Sequence, residues 1–271
     1  MFDASLIISF YNNIDFLKLV FAGLERQTFR NFEIIIADDG STAEAVSELE
    51  NLISSTLYKV THLWQEDNGF RKNKILNRAI ASSSSEYLIF IDGDCIPHSE
   101  FINEHNKNRQ RNICLTGRRV NLSDKISDML TPEKIKLGYL ENHTLKLIWD
   151  SLTGTTIDAE KGIYLKNKFL RKAVTIKKRG LLGCNFSIFK DDILKINGFD
   201  ERYILPSIGE DSDIQYRLEL AGVTIKSLNN IAVQYHLFHK LQERQKSNLD
   251  LFDKIKSEGK YFTPYGIKKL F

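Results

Sequence analysis

Four short runs of apolar, β-forming residues, each separated from the next by a stretch with helical spacing, most constrain what this chain can fold into. Residues 5–10, 32–37, 59–65 and 87–91 read as strands. Residues 14–27, 43–54 and 73–81 read as the helices between them. Strands that are apolar on both faces and alternate with helices predict a parallel sheet inside an α/β domain. Ligands of such sheets bind outside the carboxyl ends of the strands. The residues to inspect are therefore Phe10-Tyr11-Asn12-Asn13, Asp38-Asp39-Gly40-Ser41, Gln65-Glu66-Asp67-Asn68-Gly69-Phe70 and Asp92-Gly93-Asp94.

The α/β texture stops near residue 118 and returns at 181. A strand is predicted over 182–189, a short helix over 191–196 and a helix over 211–221, with Gly222 as its C-cap. Two short strands follow, over 223–227 and 231–235. The intervening residues 119–180 are charged and helical in character. They carry the basic run Lys166-Asn167-Lys168-Phe169-Leu170-Arg171-Lys172 and then Lys177-Lys178-Arg179. This is either a solvated helix face or a contact with an anionic acceptor or a lipid surface. Ser82 to Ser85 read as a loop, and residues 241–271 as a charged tail.

A length of 271 residues suits one large domain with an inserted piece. With 42% apolar and 27% charged residues and four prolines, the chain is neither disordered nor a small disulfide scaffold. A net charge of +3 gives no reason to expect a nucleic-acid partner. Cys95, Cys114 and Cys184 are odd in number and widely spaced, which argues against a structural zinc site and for free thiols. The N-terminus lacks the features of a signal peptide, and no run is long enough to cross a bilayer. A cytoplasmic protein is expected, with at most a peripheral membrane contact.

Several clusters carry chemistry. Asp92-Gly93-Asp94 puts two carboxylates at a strand end around a glycine. They repel unless a cation sits beside them, and oxygen ligands suit magnesium or manganese; the same tripeptide also serves as a turn. His236 and His239 lie three apart after a strand, and with Asp94 would give a mixed nitrogen–oxygen metal site that suits manganese. Glu210, Asp211 and Asp213 crowd a helix start. One or two would serve as caps, but three within four positions prepare a general base. Asp39 would accept hydrogen bonds from a ribose or uracil, or cap the next helix. Phe10 and Tyr11 would stack on a base or pack inward. Arg71, Lys72 and Lys74 bring three cations to a helix start, favourable for phosphate or simply solvated.

Taken in order, Ser9-Phe10-Tyr11-Asn12, Asp38-Asp39-Gly40-Ser41, Asp67-Asn68-Gly69-Phe70, Asp92-Gly93-Asp94 (a DXD pattern), Gly209-Glu210-Asp211 and His236-x-x-His239 resemble the family 2 inverting glycosyltransferases of the GT-A fold. Phe70 through Asn77, Asp92 through Pro97 and Gly183 through Asp213 resemble the β-1,4-galactosyltransferase and chondroitin-polymerase branch. The resemblance spans about residues 3–118 and 181–240. It implies a nucleotide-binding half (3–118), a helical insertion (119–180), an acceptor and catalytic half (181–240) and a tail (241–271). It further implies that Phe10 and Asp39 hold the nucleoside, Arg71 and Lys74 the diphosphate, Asp92 the ribose or sugar, and Asn185 the donor sugar. Asp94, His236 and His239 would ligate manganese or magnesium; His236 replaces the methionine of the animal enzymes. Asp211 would be the base and Glu210 a hydroxyl binder. Tyr203-Ile204-Leu205-Pro206-Ser207-Ile208 departs from a tryptophan-rich stretch of the animal enzymes, which leaves the acceptor open.

The expected activity is transfer of a hexose or N-acetylhexosamine from a UDP-sugar to a glycan or lipid-linked glycan, in bacterial surface polysaccharide synthesis. Residues 203–209 are a candidate closing loop. The rivals are a sugar-nucleotide nucleotidyltransferase, which would carry a glycine- and lysine-rich phosphate loop after its first strand, and a non-catalytic glycan-binding protein.

Overall fold

Alternation along the first strands decides the architecture. In β1 (Ala4–Phe10) Leu6 and Ile8 face one side and Ile7 the other, all fully buried. β2 (Phe32–Asp38) sets Ile34 and Ile36 against Ile35, and β4 (Tyr87–Asp92) sets Ile89 and Ile91 against Leu88 and Phe90. A sheet apolar on both sides must be covered on both sides. Leu17, Val20, Phe21 and Leu24 of α1 (Ile14–Leu24) and Leu49 of α2 (Ala43–Ser55) cover one face. Ile75, Leu76, Ala79 and Ile80 of α3 (Lys72–Ser82) cover the other.

The computed structural model describes residues 2–176, 179–206, 209–240 and 246–269. Lys177 and Lys178 of the basic run, and Ser207 and Ile208 of the candidate closing loop, lie outside the described residues. The main sheet runs β3-β2-β1-β4-β8-β6-β9, where β3 is Val60–Trp64, β8 Asn185–Phe189, β6 Ile113–Thr116 and β9 Thr224–Ser227. β1 to β4 are mutually parallel and β6 pairs in parallel with β9. β8 runs antiparallel to both its neighbours. The sheet is thus mostly parallel, but the strand expected at 182–189 begins only at Asn185 and runs the opposite way. Phe186 of β8 stacks on Phe90 of β4 with ring centroids 4.4 Å apart, which adds about 0.5–1.5 kcal/mol beyond burial.

A second sheet was not legible in the sequence. It has the order β5-β10-β7, from Cys95–Pro97, Val233–His236 and Arg118–Asn121. The strand expected over 231–235 is β10, observed over Val233–His236, but its partners β5 and β7, three and four residues long, are too short for a periodicity to register. The helices expected over 119–180 begin after β7: α5 (Asp124–Asp128), α6 (Pro132–Lys136), α7 (Tyr139–Asn142), α8 (Thr144–Thr153) and α9 (Lys168–Thr175). The region is not free-standing. Glu141 of α7 takes two hydrogen bonds from Arg26, just after α1, and two more from the backbone N–H and hydroxyl of Ser99. The tail holds a helix, α12 (Lys246–Glu258), packed against α11 (Glu210–Leu220) through Tyr216 and Phe252. Between these lie α4 (Phe101–Lys107) and α10 (Lys190–Lys195).

Asp213 has the structural role that its helix-start position allowed. Its Oδ2 accepts two bonds from the buried Arg217 guanidinium, at 2.6 and 2.9 Å, and Arg217 also donates to the carbonyls of Ile196 and Gly198. Both side chains are 1% exposed. Breaking a buried pair by removing one partner costs about 3–5 kcal/mol, because the other charge stays behind unpaired. Asp213→Ala is therefore expected to lower the free energy of unfolding, measured by urea titration, by an amount in that range. A shift of only a few tenths of a kcal/mol would show that the pair is not holding α11 in place.

Candidate active site at the strand ends

Parallel pairing sets the carboxyl ends of the first strands side by side. Phe10 pairs with Asp38, and Ser9 with Asp92. The next residues in each strand therefore open onto one surface. A cavity of about 610 Å³ lies there, lined by Phe10, Tyr11, Asp39, Lys72, Asp92, Asp94 and His239 among others. That volume falls in the range of small-ligand sites.

The two aspartates at the end of β2 divide their labour. Asp38 turns inward, accepting from the backbone N–H of Gly40 and Ser41 and meeting His62 Nε2 at 2.9 Å. Asp39 faces the cavity. Its carboxylate accepts from Gln65 Nε2 at 2.6 Å and from the Arg71 backbone N–H at 2.8 Å, one bond to each oxygen. Burial pushes its pKa up, against those two bonds. A carboxylate oxygen has room for a second donor, so Asp39 can still accept a bond from a ligand. The backbone swings past it through Gly40 at φ +98°, where a Cβ would meet the Asp67 main chain at 2.6–2.7 Å. Tyr11, half-exposed beside Phe10, donates its hydroxyl to Asp67.

The second sheet assembles the cluster of Asp94, His236 and His239. β5 follows the Asp92-Gly93-Asp94 turn directly and pairs antiparallel with β10, so His236 lies opposite Cys95. The Leu237 N–H donates to the Asp94 carbonyl and the Phe238 N–H to Ser127 Oγ, which fixes the chain leading to His239. His236 is the last residue of β10 rather than a residue after it. Asp94 Oδ2 lies 3.4 Å from His236 Nε2 and 3.2 Å from His239 Nε2, and the two Nε2 atoms are 3.1 Å apart. Three donors each about 2.1 Å from one cation, at angles between a right angle and a tetrahedral one, would stand about 3.0–3.4 Å apart. The observed triangle has that size. Two imidazole nitrogens facing at such a distance either share a proton or direct both lone pairs at a common ion. Burial works against charge on Asp94, but the two imidazoles outweigh it and hold its pKa well below the ordinary range. The hydrogen bond to Asp94 raises His239. The buried thiol of Cys95 donates to Asp94 Oδ1 at 3.3 Å.

Lys72, the first residue of α3, is the cation that faces the cavity. Its Nζ donates to Asp92 Oδ1 at 2.7 Å, and Ser9 Oγ donates to the same oxygen at 2.5 Å. Burial opposes its charge, but Asp92, Glu210 and Asp211 outweigh that and raise its pKa. Lys74, expected near a diphosphate, is exposed and does not line the cavity. Arg71 reaches the site only through its backbone, and its guanidinium turns back to the Phe70 carbonyl. Helical spacing carried the distinction. Lys72 sits three and four residues before the buried Ile75 and Leu76, whereas Lys74 sits four before the exposed Arg78.

Glu210 and Asp211 open α11. The Asp211 carboxylate accepts the Gly183 backbone N–H at 2.8 Å, an approach only glycine allows, since a Cβ there would meet Asp211 Oδ1 at 2.1 Å. Burial raises the pKa of Asp211 against the pull of Lys72. Burial and the neighbouring Asp211 push Glu210 up to about 7, and one of its oxygens is buried with no hydrogen-bond partner. Asn185 is not brought to the cavity. It is fully buried, donating to the Arg118 and Ala232 carbonyls and meeting His105 Nε2 through its amide oxygen. Arg119, which no sequence signal marked, lies beneath the cluster with one guanidinium nitrogen 3.3 Å from Cys184 Sγ. Burial works against its charge, and the carboxylates of Asp92 and Asp94 are among the groups that favour it.

The cluster makes a direct prediction. Manganese titrated into the protein, followed by the loss of its free paramagnetic resonance signal, is expected to fill one site. Asp94→Ala and His239→Ala should each weaken it by more than the roughly 10- to 100-fold that losing an outer-sphere partner costs. Unchanged binding in Asp94→Ala would remove the triangle as the cation site.

Comparison with known proteins agrees with this layout. Residues 5–159 match the model of glycosyl transferase family 2, and residues 167–240 match the model described as the N-terminal domain of galactosyltransferase. The chondroitin synthase of Escherichia coli is 24% identical over 243 residues, covering 86% of this chain and 34% of that protein. The chain thus spans about a third of that relative's length. The Staphylococcus aureus transferase TarS, solved in complex with UDP, superposes with a TM-score of 0.56 at 16% identity, over 95% of this chain and 65% of that one. GalNAc-T7, solved with UDP, GalNAc and Mn2+, gives 0.63 at 13% identity, over 95% of this chain and 48% of the other. With over half its residues inside the family 2 model and its strand ends arranged on the GT-A plan, this chain belongs to glycosyl transferase family 2.

Proposed function

We propose that the chain transfers a hexose or N-acetylhexosamine from a UDP-sugar to a hydroxyl of a glycan or lipid-linked glycan, with inversion, in bacterial surface polysaccharide synthesis on the cytoplasmic side. The observation that carries this reading is the Asp94, His236 and His239 triangle on the rim of a cavity that also holds Asp39 and Lys72. The UDP, GalNAc and Mn2+ of the solved neighbours, and the similarity to chondroitin synthase, support it.

Each side chain has a task in that reaction. Phe10 and Tyr11 offer ring surface to a base, and Asp39 keeps a free lone pair for a ribose hydroxyl or a uracil N–H. Asp92, held by Ser9 and Lys72, presents its other oxygen toward ribose or sugar hydroxyls. Lys72 is a fixed positive charge on the cavity wall beside the diphosphate. A divalent cation held by Asp94, His236 and His239 would neutralise charge on the departing diphosphate. Asp211, oriented by the Gly183 N–H, takes the acceptor proton, and Glu210 holds an acceptor or donor hydroxyl. A single base opposite the leaving group is what a one-step, inverting displacement needs.

Two outcomes are expected. Asp211→Asn should lower kcat about 10²- to 10⁴-fold while leaving UDP affinity, measured by calorimetry, nearly unchanged. Full turnover by this variant would take Asp211 out of the mechanism. Protonating the Glu210–Asp211 pair removes the base, and Glu210 sits near 7. As pH falls, kcat/KM should therefore decline through an apparent pKa near 7, and Glu210→Gln should move that limb lower. A wild-type limb in the ordinary carboxylate range would contradict the reading. The assay is UDP release from UDP-sugars with manganese and a glycan acceptor; pyrophosphate release from a nucleoside triphosphate would instead mark a nucleotidyltransferase.

A further inference from the structure

The stretch 161–180 holds eight lysines and arginines and no acidic residue, in a chain whose net charge is only +3. Its helix, α9, buries none of its residues. Among the described residues, the polar anchor of α9 to the body is Arg171. The Arg171 guanidinium donates twice to the buried Glu104 carboxylate, at 2.7 and 2.9 Å, and once to the Leu165 carbonyl, and Tyr164 also donates to Glu104. Val174 and Thr175, like Arg171, are half-buried, and the other side chains of the helix are exposed. Phe169 is 86% exposed and Ile176 74%, with Leu170 between them in sequence also exposed. Lys166, Lys168 and Lys172, close to these apolar tips in sequence, are exposed and without an ion pair among the described residues.

The apolar surface extends beyond α9. A groove of about 450 Å³ separates Leu145 and Ile148 of α8 from Ile163 and Tyr164, the residues that lead into α9. On its outer side α8 exposes Leu145, Trp149 and Leu152, spaced as one helical stripe, with Trp149 67% exposed. Among the described residues, no helix is long and apolar enough to cross a membrane.

Bare phenyl and branched aliphatic tips beside exposed lysines suit one chemistry. Lysines are drawn to an anionic surface, the apolar tips enter the boundary between headgroups and chains, and tryptophan favours that depth. A soluble polyanion would use the lysines and gain nothing from Phe169 and Ile176. We infer that α9, with the adjoining stripe of α8, docks this protein on a bilayer rich in anionic phospholipid.

Co-sedimentation with vesicles tests this without reference to catalysis. The protein should pellet with phosphatidylcholine vesicles containing about one-third phosphatidylglycerol, and not with pure phosphatidylcholine, and salt should release it. Each lysine near such a surface contributes about fivefold to partitioning, so Lys168→Ala with Lys172→Ala should lower it about 25-fold. Phe169→Ser with Leu170→Ser should lower it at least about tenfold. Unchanged circular dichroism and melting temperature would show that these exposed substitutions leave the fold intact. Protein that stays in the supernatant with both vesicle types overturns the inference. So does vesicle binding indifferent to Phe169 and Leu170. Binding to immobilised chondroitin sulfate that needs the lysines but not Phe169, without vesicle binding, would assign the patch to a soluble polyanion instead.

Discussion

Concentrated negative charge is the constraint around which this site is organised. Asp92 and Asp94 come from the end of β4 and Glu210 and Asp211 from the start of α11, and they act on two half-buried cations. Lys72 is held by Asp92, Glu210 and Asp211, and Arg119 senses Asp92 and Asp94. Two like charges about 4 Å apart repel by about 4 kcal/mol in surroundings of intermediate polarity. Such a group persists only with positive charge placed among its members. Lys72 neutralises one part and the two imidazoles face the other, which leaves Asp94 strongly anionic and Glu210 reluctant to ionise. The carboxylates thus differ in protonation tendency because their neighbours differ, and that separation is what lets one region bind a cation and another accept a proton.

The scaffold that holds these charges is rigid where it must be. Parallel pairing fixes the ends of β1, β2 and β4 in a row, and the antiparallel contact of β5 with β10 fixes the histidines against Asp94. Backbone hydrogen bonds from Leu237 and Phe238 continue that order for two residues past the strand. By contrast, α9 is tied to the body chiefly through Arg171 and Glu104. The molecule thus combines a well-braced chemical centre with a loosely mounted, outward-facing helix.

Much of the site could be read in the sequence because its residues occupy turns at the ends of strongly patterned strands. Asp39, Asp92 and Asp94 announce themselves by following unbroken apolar runs, and Phe10 by ending one. Lys72 is harder to pick out than its neighbours Arg71 and Lys74, since three cations within four positions look alike until helical phase assigns one of them to the cavity side. Asn185 shows the opposite case. Its polar amide reads like a ligand group, yet it satisfies backbone carbonyls between two sheets. Asp213 likewise belongs to the acidic run by spacing but to Arg217 by contact.

By itself the sequence determined the α/β alternation, the order of the first four strands and helices, and the composition of the acidic and imidazole clusters. These follow from periodicity and turn chemistry, which act over a few residues. Tertiary structure alone decided that β8 runs backwards between β4 and β6, and that three very short strands form a second sheet. It also decided that Lys72 rather than Lys74 faces the cavity and that Asn185 turns inward. These depend on contacts between residues far apart in the chain, where pairing direction and side-chain facing are set by packing that no local pattern encodes.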